Sequence, residues 1–411
     1  MFILVTGISG LERKRAYELL PKDYRVINLG DYMIKIAKEC AMTLDEHNIL
    51  HAGRDTLAAL RAAAICRARS ECESGKPGDL PIILSTHSVF SGLHGLVAGL
   101  TSRDVKEIKH IKCLITLIDG PQAIKERLRN HKAEYLQHKV WDVVRWQELE
   151  VFFSHHLAGE LDDVRHYVVP TTQPDVFAAI CQGDKRKTAY VSFPMTHASN
   201  SAKEKITKFK ERLKEHFIVV DPAAIESSHA TGDDQSIQDR NAVWSHTIVR
   251  DLEWFIGISA DTVIAYWPEV TFSSGMSDEL RYAFVIGKST VLVTEHTKMD
   301  GLPVLSPFQT YKSTVFWSSD EYFEFLGLSD QDREIYSLCQ AVMTEQFRAH
   351  ESHMTELDLD FFKKESKRVA KYRLTEEALS AVNDRLSDIA ETVFRSWEPQ
   401  IDRASQPKTS Q

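Results

Sequence analysis

Disulfide spacing, a membrane span and an excess of positive charge are all missing from this chain. Its six cysteines, Cys40, Cys66, Cys72, Cys113, Cys181 and Cys339, show neither C-x-x-C nor zinc-ligand spacing. That removes a disulfide framework and leaves reduced thiols as the reading. No apolar run approaches the ~20 residues a membrane helix needs. The opening MFILVTG is too short for a secretory signal and lacks its basic flank. A cytoplasmic protein with no membrane partner is expected. Lys and Arg total 50 against 59 Asp and Glu, a net charge of −9, so no electrostatic case exists for a nucleic-acid polymer. One phosphate is a different matter, because a few amides and hydroxyls suffice to hold it. The histidine pairs His87/His94 and His155/His156 have no cysteine or acid at ligand spacing, and no metal site is expected.

What is present is an ordinary globular balance, 43% hydrophobic and 27% charged over 411 residues, enough for two domains and an appendage. Short apolar runs alternate with helical patterns: FILVT, then Leu11–Leu20 as a helix, a strand at Arg25–Asn28, a helix from Asp31 and another over 53–73. The strands LPIILSTHS, IKCLITLID and RHYVVP follow, with a long helical region at 121–157. That alternation argues for a parallel sheet covered on both faces. The polar stretch CQGDKRKT interrupts it, and the alternation then restarts: TAYVSF, a helix over 201–216 capped by Ser201, FIVVDP, a polar loop at 223–240, a helix near 242–258, DTVIAYW, a bend and helix, and STVLVT. From about 330 the pattern is helical and charged, ending in a tail, RASQPKTSQ, expected to fray. The fold class is therefore α/β, two doubly wound parallel-sheet, Rossmann-like domains plus a C-terminal helical segment, with boundaries at 1–183, 187–328 and 329–411.

In an open parallel sheet, ligands sit where loops converge at the carboxyl ends of the strands. In the second domain three pieces should meet there: Tyr190 with the loop after it (Phe193, Pro194, Met195, Thr196), Asp251 in RDLEWF, and the bend SSGMSDELRYA, whose Asp278 and Glu279 are placed at a helix opening. A carboxylate at a helix N-terminus is favoured by the dipole and can serve as nucleophile. Small residues beside it let a phosphate or sugar approach. Taken alone, each feature has a plainer reading: a capping acid, a core tyrosine, a turn.

In that order, YVSFPMT, RDLEWFIGISAD and SSGMSDELRYAFVIGKSTVLV resemble the nucleoside 2-deoxyribosyltransferase superfamily over roughly 187–295. The branch they look like is the 2'-deoxynucleoside 5'-monophosphate N-glycosidases. The resemblance implies Glu279 as a nucleophile that attacks C1' of the sugar, Asp251 as proton donor to the departing base, and Tyr190 as the residue that orients the nucleophile. It also places a substrate phosphate at Ser273, with Ser274, Gly275 and the residues 193–196 around it; transferases acting on free nucleosides carry an acid where Ser273 stands. No cofactor is implied, and an oligomer is expected.

LVTGISGLERKR invites a phosphate-loop reading, yet Glu12, Arg13 and Lys14 stand where such a loop wants Gly, Lys and a hydroxyl. With VINLGDYMIKIAKE, IILSTHS and LITLIDGPQAIKERLRN, residues 1–180 resemble adenylate kinases, in degenerate form. That implies a cleft holding ATP or another nucleotide, watched by Gly7, Gly10, Arg13, Lys14, Asp31, His87, Arg127 and Arg129. The loss of the metal hydroxyl favours a regulatory or structural domain over phosphoryl transfer. The resulting expectation is an N-glycosidase acting on (deoxy)nucleoside 5'-monophosphates. The rival readings are a dinucleotide (NAD) glycohydrolase, a deoxyribosyltransferase, a nucleotide sensor without turnover, and a monophosphate kinase.

Overall fold

Five consecutive buried residues, Phe2–Thr6, make the first strand, and a run apolar on both sides belongs in the middle of a covered parallel sheet. A computed structural model describes the chain except residues 46–47, 74–79, 93–94, 130–138, 196–197, 226–236, 270, 272, 296–297, 300–301, 304, 306–310, 350–357, 375 and 405–411. Thr196, His94, most of the polar loop and most of the tail lie outside the described residues. The rest sort into two units, Met1–Arg186 with Val220–Ser259, and Lys187–Val219 with Ala260–Gln411.

In the first unit the strands are β1 (Phe2–Thr6), β2 (Val26–Asn28), β3 (Ile82–Ser85), a hairpin of β4 (Val89–Gly92) and β5 (Gly95–Ala98), β6 (Ile111–Ile118) and β7 (Arg165–Pro170). The main sheet is parallel in the order β2-β3-β1-β6-β7. Its helices are α1 (Arg13–Ala16), α2 (Leu29–Glu39), α3 (Arg54–Glu73), α4 (Ser102–Ile108), α5 (Pro121–Arg129), α6 (Val140–Gly159) and α7 (Pro174–Gln182). The helix expected over Leu11–Leu20 shrinks to the four residues of α1, whose N-cap, Glu12, makes no side-chain cap. The helical region 121–157 is two helices, α5 and α6. Leu4, Leu60, Ile65, Leu84 and Leu114 anchor one hydrophobic cluster, and Ile8, Ile124, Leu128, Val143 and Trp146 form a smaller one. The segment 220–259 supplies a ten-residue π-helix, Arg250–Ser259, following α9 (Ile237–Val249). Ser259 stitches that segment to β7, accepting from Val168 N at 2.8 Å.

The second unit's parallel strands are β8 (Thr188–Ser192), β9 (Ile218–Val220), β10 (Thr262–Trp267), β11 (Ser289–Thr294) and β14 (Thr314–Phe316), in the order β14-β11-β10-β8-β9, with a small hairpin of β12 (Lys298–Met299) and β13 (Leu302–Pro303). Between them run α8 (Asn200–Leu213) and α10 (Ser274–Val285), and after them α11 (Ser319–Gly327), α12 (Asp330–Ala349), α13 (Leu359–Arg373) and α14 (Glu376–Ala404). The cap of α8 is Ser199, not Ser201, and its hydroxyl accepts from Ala202 N at 3.1 Å. The C-terminal helices are no loose appendage: Tyr336, Val342, Phe362, Leu386, Val393 and Trp397 share one core with Val291, Val293 and Phe316 of the sheet. Among the described residues no helix is long and apolar enough to cross a membrane.

Candidate active site

Strand residues two apart share a face, so Tyr190 and Ser192 of β8 present their side chains together. Tyr190 is fully buried and Ser192 nearly so, while β8 is locked against β10 in the pairing Tyr190↔Val263. Opposite them, α10 starts on Ser273, an N-cap in extended conformation whose Oγ accepts from Met276 N at 3.3 Å. Met276, Leu280 and Ala283 are the buried stripe of that helix. Glu279 is three residues past Met276, a spacing that brings it to the flank of this stripe, and it is half-buried. Tyr190 Oη donates to Glu279 Oε1 at 2.9 Å, and Ser192 Oγ donates to Oε2. Each carboxylate oxygen thus has a hydroxyl donor from the neighbouring strand, which fixes the orientation of the group.

The expected helix opening is displaced. No acid lies in the first turn of α10, so Glu279 sits in the second turn and its support comes from strand hydroxyls, not from helix-end amides. The bend residues themselves form the first turn, with Ser274 and Gly275 exposed. Asp278 turns to the other side of the helix, exposed beside Arg281 at 3.5 Å. Ser192 was not singled out from the sequence, although its two-residue spacing from Tyr190 was the available signal. Glu269, in the loop after β10, was also missed: it accepts from Ser199 N and Ser199 Oγ, each at 2.7 Å, joining that loop to the start of α8. In the loop after β8, Phe193 packs on the core and lies under Lys210 Nζ at 4.9 Å, Pro194 is buried and Met195 is exposed.

Asp251 belongs to the first unit, on the π-helix, a helix form found often at functional sites. It is buried, and Arg250 Nε donates to its Oδ1 at 2.8 Å. Burial raises the Asp251 pKa, with Arg250 pulling the other way. His246, one turn before, has neither ring nitrogen hydrogen-bonded and stands edge-on to Trp254 at 5.0 Å. Burial and the Arg250 charge bring its pKa down to about 3, so it is a neutral ring.

The strand ends of the first unit hold a second carboxylate. Glu150 of α6 is 1% exposed and accepts from Gly7 N, Ser88 N and Val89 N at 2.8, 2.7 and 2.8 Å. Arg13 folds inward, donating to Gly7 O, to Ser85 Oγ at 2.5 Å and to Thr86 O at 3.0 Å. Its side chain explains the short α1: the guanidinium is bonded to loop and strand-end groups of the first unit. Gly7 and Gly10 have φ of +150° and +83°; a Cβ on Gly7 would come within 2.9 Å of Leu117 O in β6 and one on Gly10 within 2.9 Å of Leu128, so Gly7 lets the loop pack on the sheet and Gly10 lets it pack on α5. Arg127 donates to Gly10 O at 2.6 Å and to Asp119. His87 rests on Phe90, ring centres 4.4 Å apart, and burial with the Arg13 charge holds its pKa well below the usual range. Lys14, Asp31 and Arg129 are exposed.

No protein-family model matches the chain, and no curated protein matches it. Among solved structures it is similar to a 2-deoxyribosyltransferase from the psychrotolerant bacterium Bacillus psychrosaccharolyticus, at 14% identity over 34% of this chain and 95% of that one, with a TM-score of 0.26. A likeness of that size carries no argument about what this chain does.

Proposed function

We propose that the chain cleaves the N-glycosidic bond of a nucleoside 5'-monophosphate, with Glu279 as nucleophile. What supports the reading is the pair of strand hydroxyls that grips both oxygens of Glu279 at the carboxyl end of a parallel sheet. In the first step a Glu279 oxygen bonds to C1' as the C1'–N bond breaks, and the bonding pair leaves with the base. In the second, water attacks C1', its proton passes to the Asp251 carboxylate left by the first step, the ester opens and Glu279 is regenerated, the two-displacement route of retaining glycosidases. Tyr190 and Ser192 hold the carboxylate in line, which matters because effective molarity depends on a near-attack geometry. Asp251 is the proposed proton donor to the leaving base on chemical grounds: it is a buried carboxyl whose pKa burial raises against the pull of Arg250, the direction a general acid needs. Ser273 Oγ, already accepting from Met276 N, keeps its own proton to give to a substrate phosphate.

The test is incubation with a panel of nucleoside monophosphates and chromatography for free base. Release by the wild type and none by Glu279→Ala is the expected pattern; equal release by both, or none by either, overturns it. Adding a second free base to the same reaction separates hydrolysis from sugar transfer.

For the first unit we propose a supporting role with its cradle closed. Three amides that could hold a phosphate already hold Glu150, so a regulatory nucleotide there would have to displace that carboxylate. An ATP titration by calorimetry decides: no heat supports closure, and saturable binding abolished by Glu150→Trp supports the regulatory site.

A further inference from the structure

We propose a separate binding site for a phosphate monoester on the second unit, at the end of its sheet opposite Glu279. Ser192 is the last residue of β8, whereas Ser289 and Thr314 are the first residues of β11 and β14. The strands are parallel, so these positions mark opposite ends of one sheet. A cavity of about 630 Å³ lies at that amino end, between the starts of β11 and β14 and the helix α12. Its size is that of a small-molecule site.

The lining has the chemistry of an anion site with a flat neighbour. Hydroxyls come from Ser289, Ser313 and Thr314, and positive charge from Lys312 and from Lys288, whose Nζ also donates to Ala260 O at 2.8 Å, with Glu345 as the one acid among the lining residues. Lys312 Nζ stands 5.5 Å over the Tyr311 ring, and Tyr311 meets Phe284 edge-to-face at 5.4 Å. One polar group of this lining, Ser313 Oγ, is buried without a partner. Gln340, 3% exposed, is fixed behind it, accepting from Trp397 Nε1 at 2.9 Å and hydrogen-bonding Tyr336. Buried polar groups left unpaired are uncommon in native proteins and call for an explanation; donors lining a lysine-flanked cavity are met by an anionic oxygen. The site takes a phosphate monoester from either of two sources: a nucleoside monophosphate, with its base against Tyr311 and Phe284, or a bare sugar phosphate.

The experiment uses the full chain carrying Glu279→Gln, so that no probe is consumed, and reads calorimetric binding of adenosine 5'-monophosphate, ribose 5-phosphate and inorganic phosphate. Two further variants perturb the cavity: Ala341→Trp, which fills it from an exposed position on α12, and Lys312→Glu, which reverses a lining charge. Each should weaken one class of binding at least tenfold while the thermal midpoint stays within a few degrees, and Ser273→Glu should leave that class unchanged. Preference for the nucleotide over ribose 5-phosphate assigns the ring contact, and equal affinity assigns the phosphate alone. Binding that neither cavity variant alters, or no binding of any probe, overturns the proposal. Because the readout is binding and not base release, it stands or falls separately from the role of Glu279.

Discussion

Glu150 and Glu279 are both helix carboxylates that reach a strand end, and their surroundings could hardly differ more. Glu150 is 1% exposed and takes three backbone amides; Glu279 is half-buried and takes two side-chain hydroxyls. Amides belong to a rigid backbone and cannot turn away, so a buried carboxylate bound by three of them is a structural tie. Hydroxyls rotate, and a half-buried carboxylate held by them is less rigidly tied. The same residue type is therefore tied into the backbone in one unit and, in the other, is the nucleophile proposed above.

The largest expected effect separates the two by function. Glu279→Gln should lower base release by at least ~10³-fold, because the nucleophile itself is gone, and should leave the urea midpoint nearly unchanged. Glu150→Ala should do the reverse to stability. It strands three buried amides, each costing about 1–3 kcal/mol when unsatisfied, so the urea midpoint of the first unit should fall sharply. If Glu150→Ala unfolds as the wild type does, the amide tie is not what holds the loop.

A smaller effect sharpens the picture of Glu279. Tyr190→Phe and Ser192→Ala each remove one donor and should reduce kcat about 10- to 100-fold with little change in KM, the pattern of a group that positions a nucleophile. The double variant should lose less than the product of the two, since both act on one carboxylate. A change in KM alone would show that the hydroxyls bind substrate instead.

The contrast also shows where sequence reading succeeds. FILVT, IKCLITLID, DTVIAYW and STVLVT were legible as strands because a parallel sheet covered on both faces demands unbroken apolar runs. Tyr190 and Glu279 stood out by their places beside such a strand and a small-residue bend. Glu150 did not: in VVRWQELEVFF a glutamate reads as a solvated face, and its burial comes from the loops after β1 and β3, distant in sequence. Asp251 was picked out from RDLEWF, but its burial against Arg250 was not, since adjacent opposite charges look exposed and only tertiary packing buries them. The three-residue β14 and the β4–β5 hairpin carry too few residues for periodicity to register. The opening of α10 was misplaced because the eye goes to the acids, while the chain starts the helix at Ser273, whose side chain can cap it.

The smallest predicted effect concerns pH and tests the environment of Asp251 against that of its neighbour His246. Asp251 has its native pKa raised above 3.8 by burial, so the native state binds this proton more tightly than the unfolded chain. Its contribution to stability is complete below the unfolded value and is lost as pH rises through the native one. His246 has the opposite sign: its pKa falls from 6.5 to about 3, so its contribution is complete above 6.5 and is lost as pH falls toward 3, on the order of 1 kcal/mol per pH unit. His166, buried and also lowered to about 3, adds to the same acid slope. Thermal midpoints measured from pH 7 to pH 4 should therefore decline, and His246→Phe, which keeps a ring against Trp254, should flatten that decline. Asp251→Asn should leave the acid slope in place and remove the alkaline limb of base release, if its proton is the one the leaving base takes. An unchanged alkaline limb in Asp251→Asn would assign that proton to another group and leave Asp251 as the buried partner of Arg250.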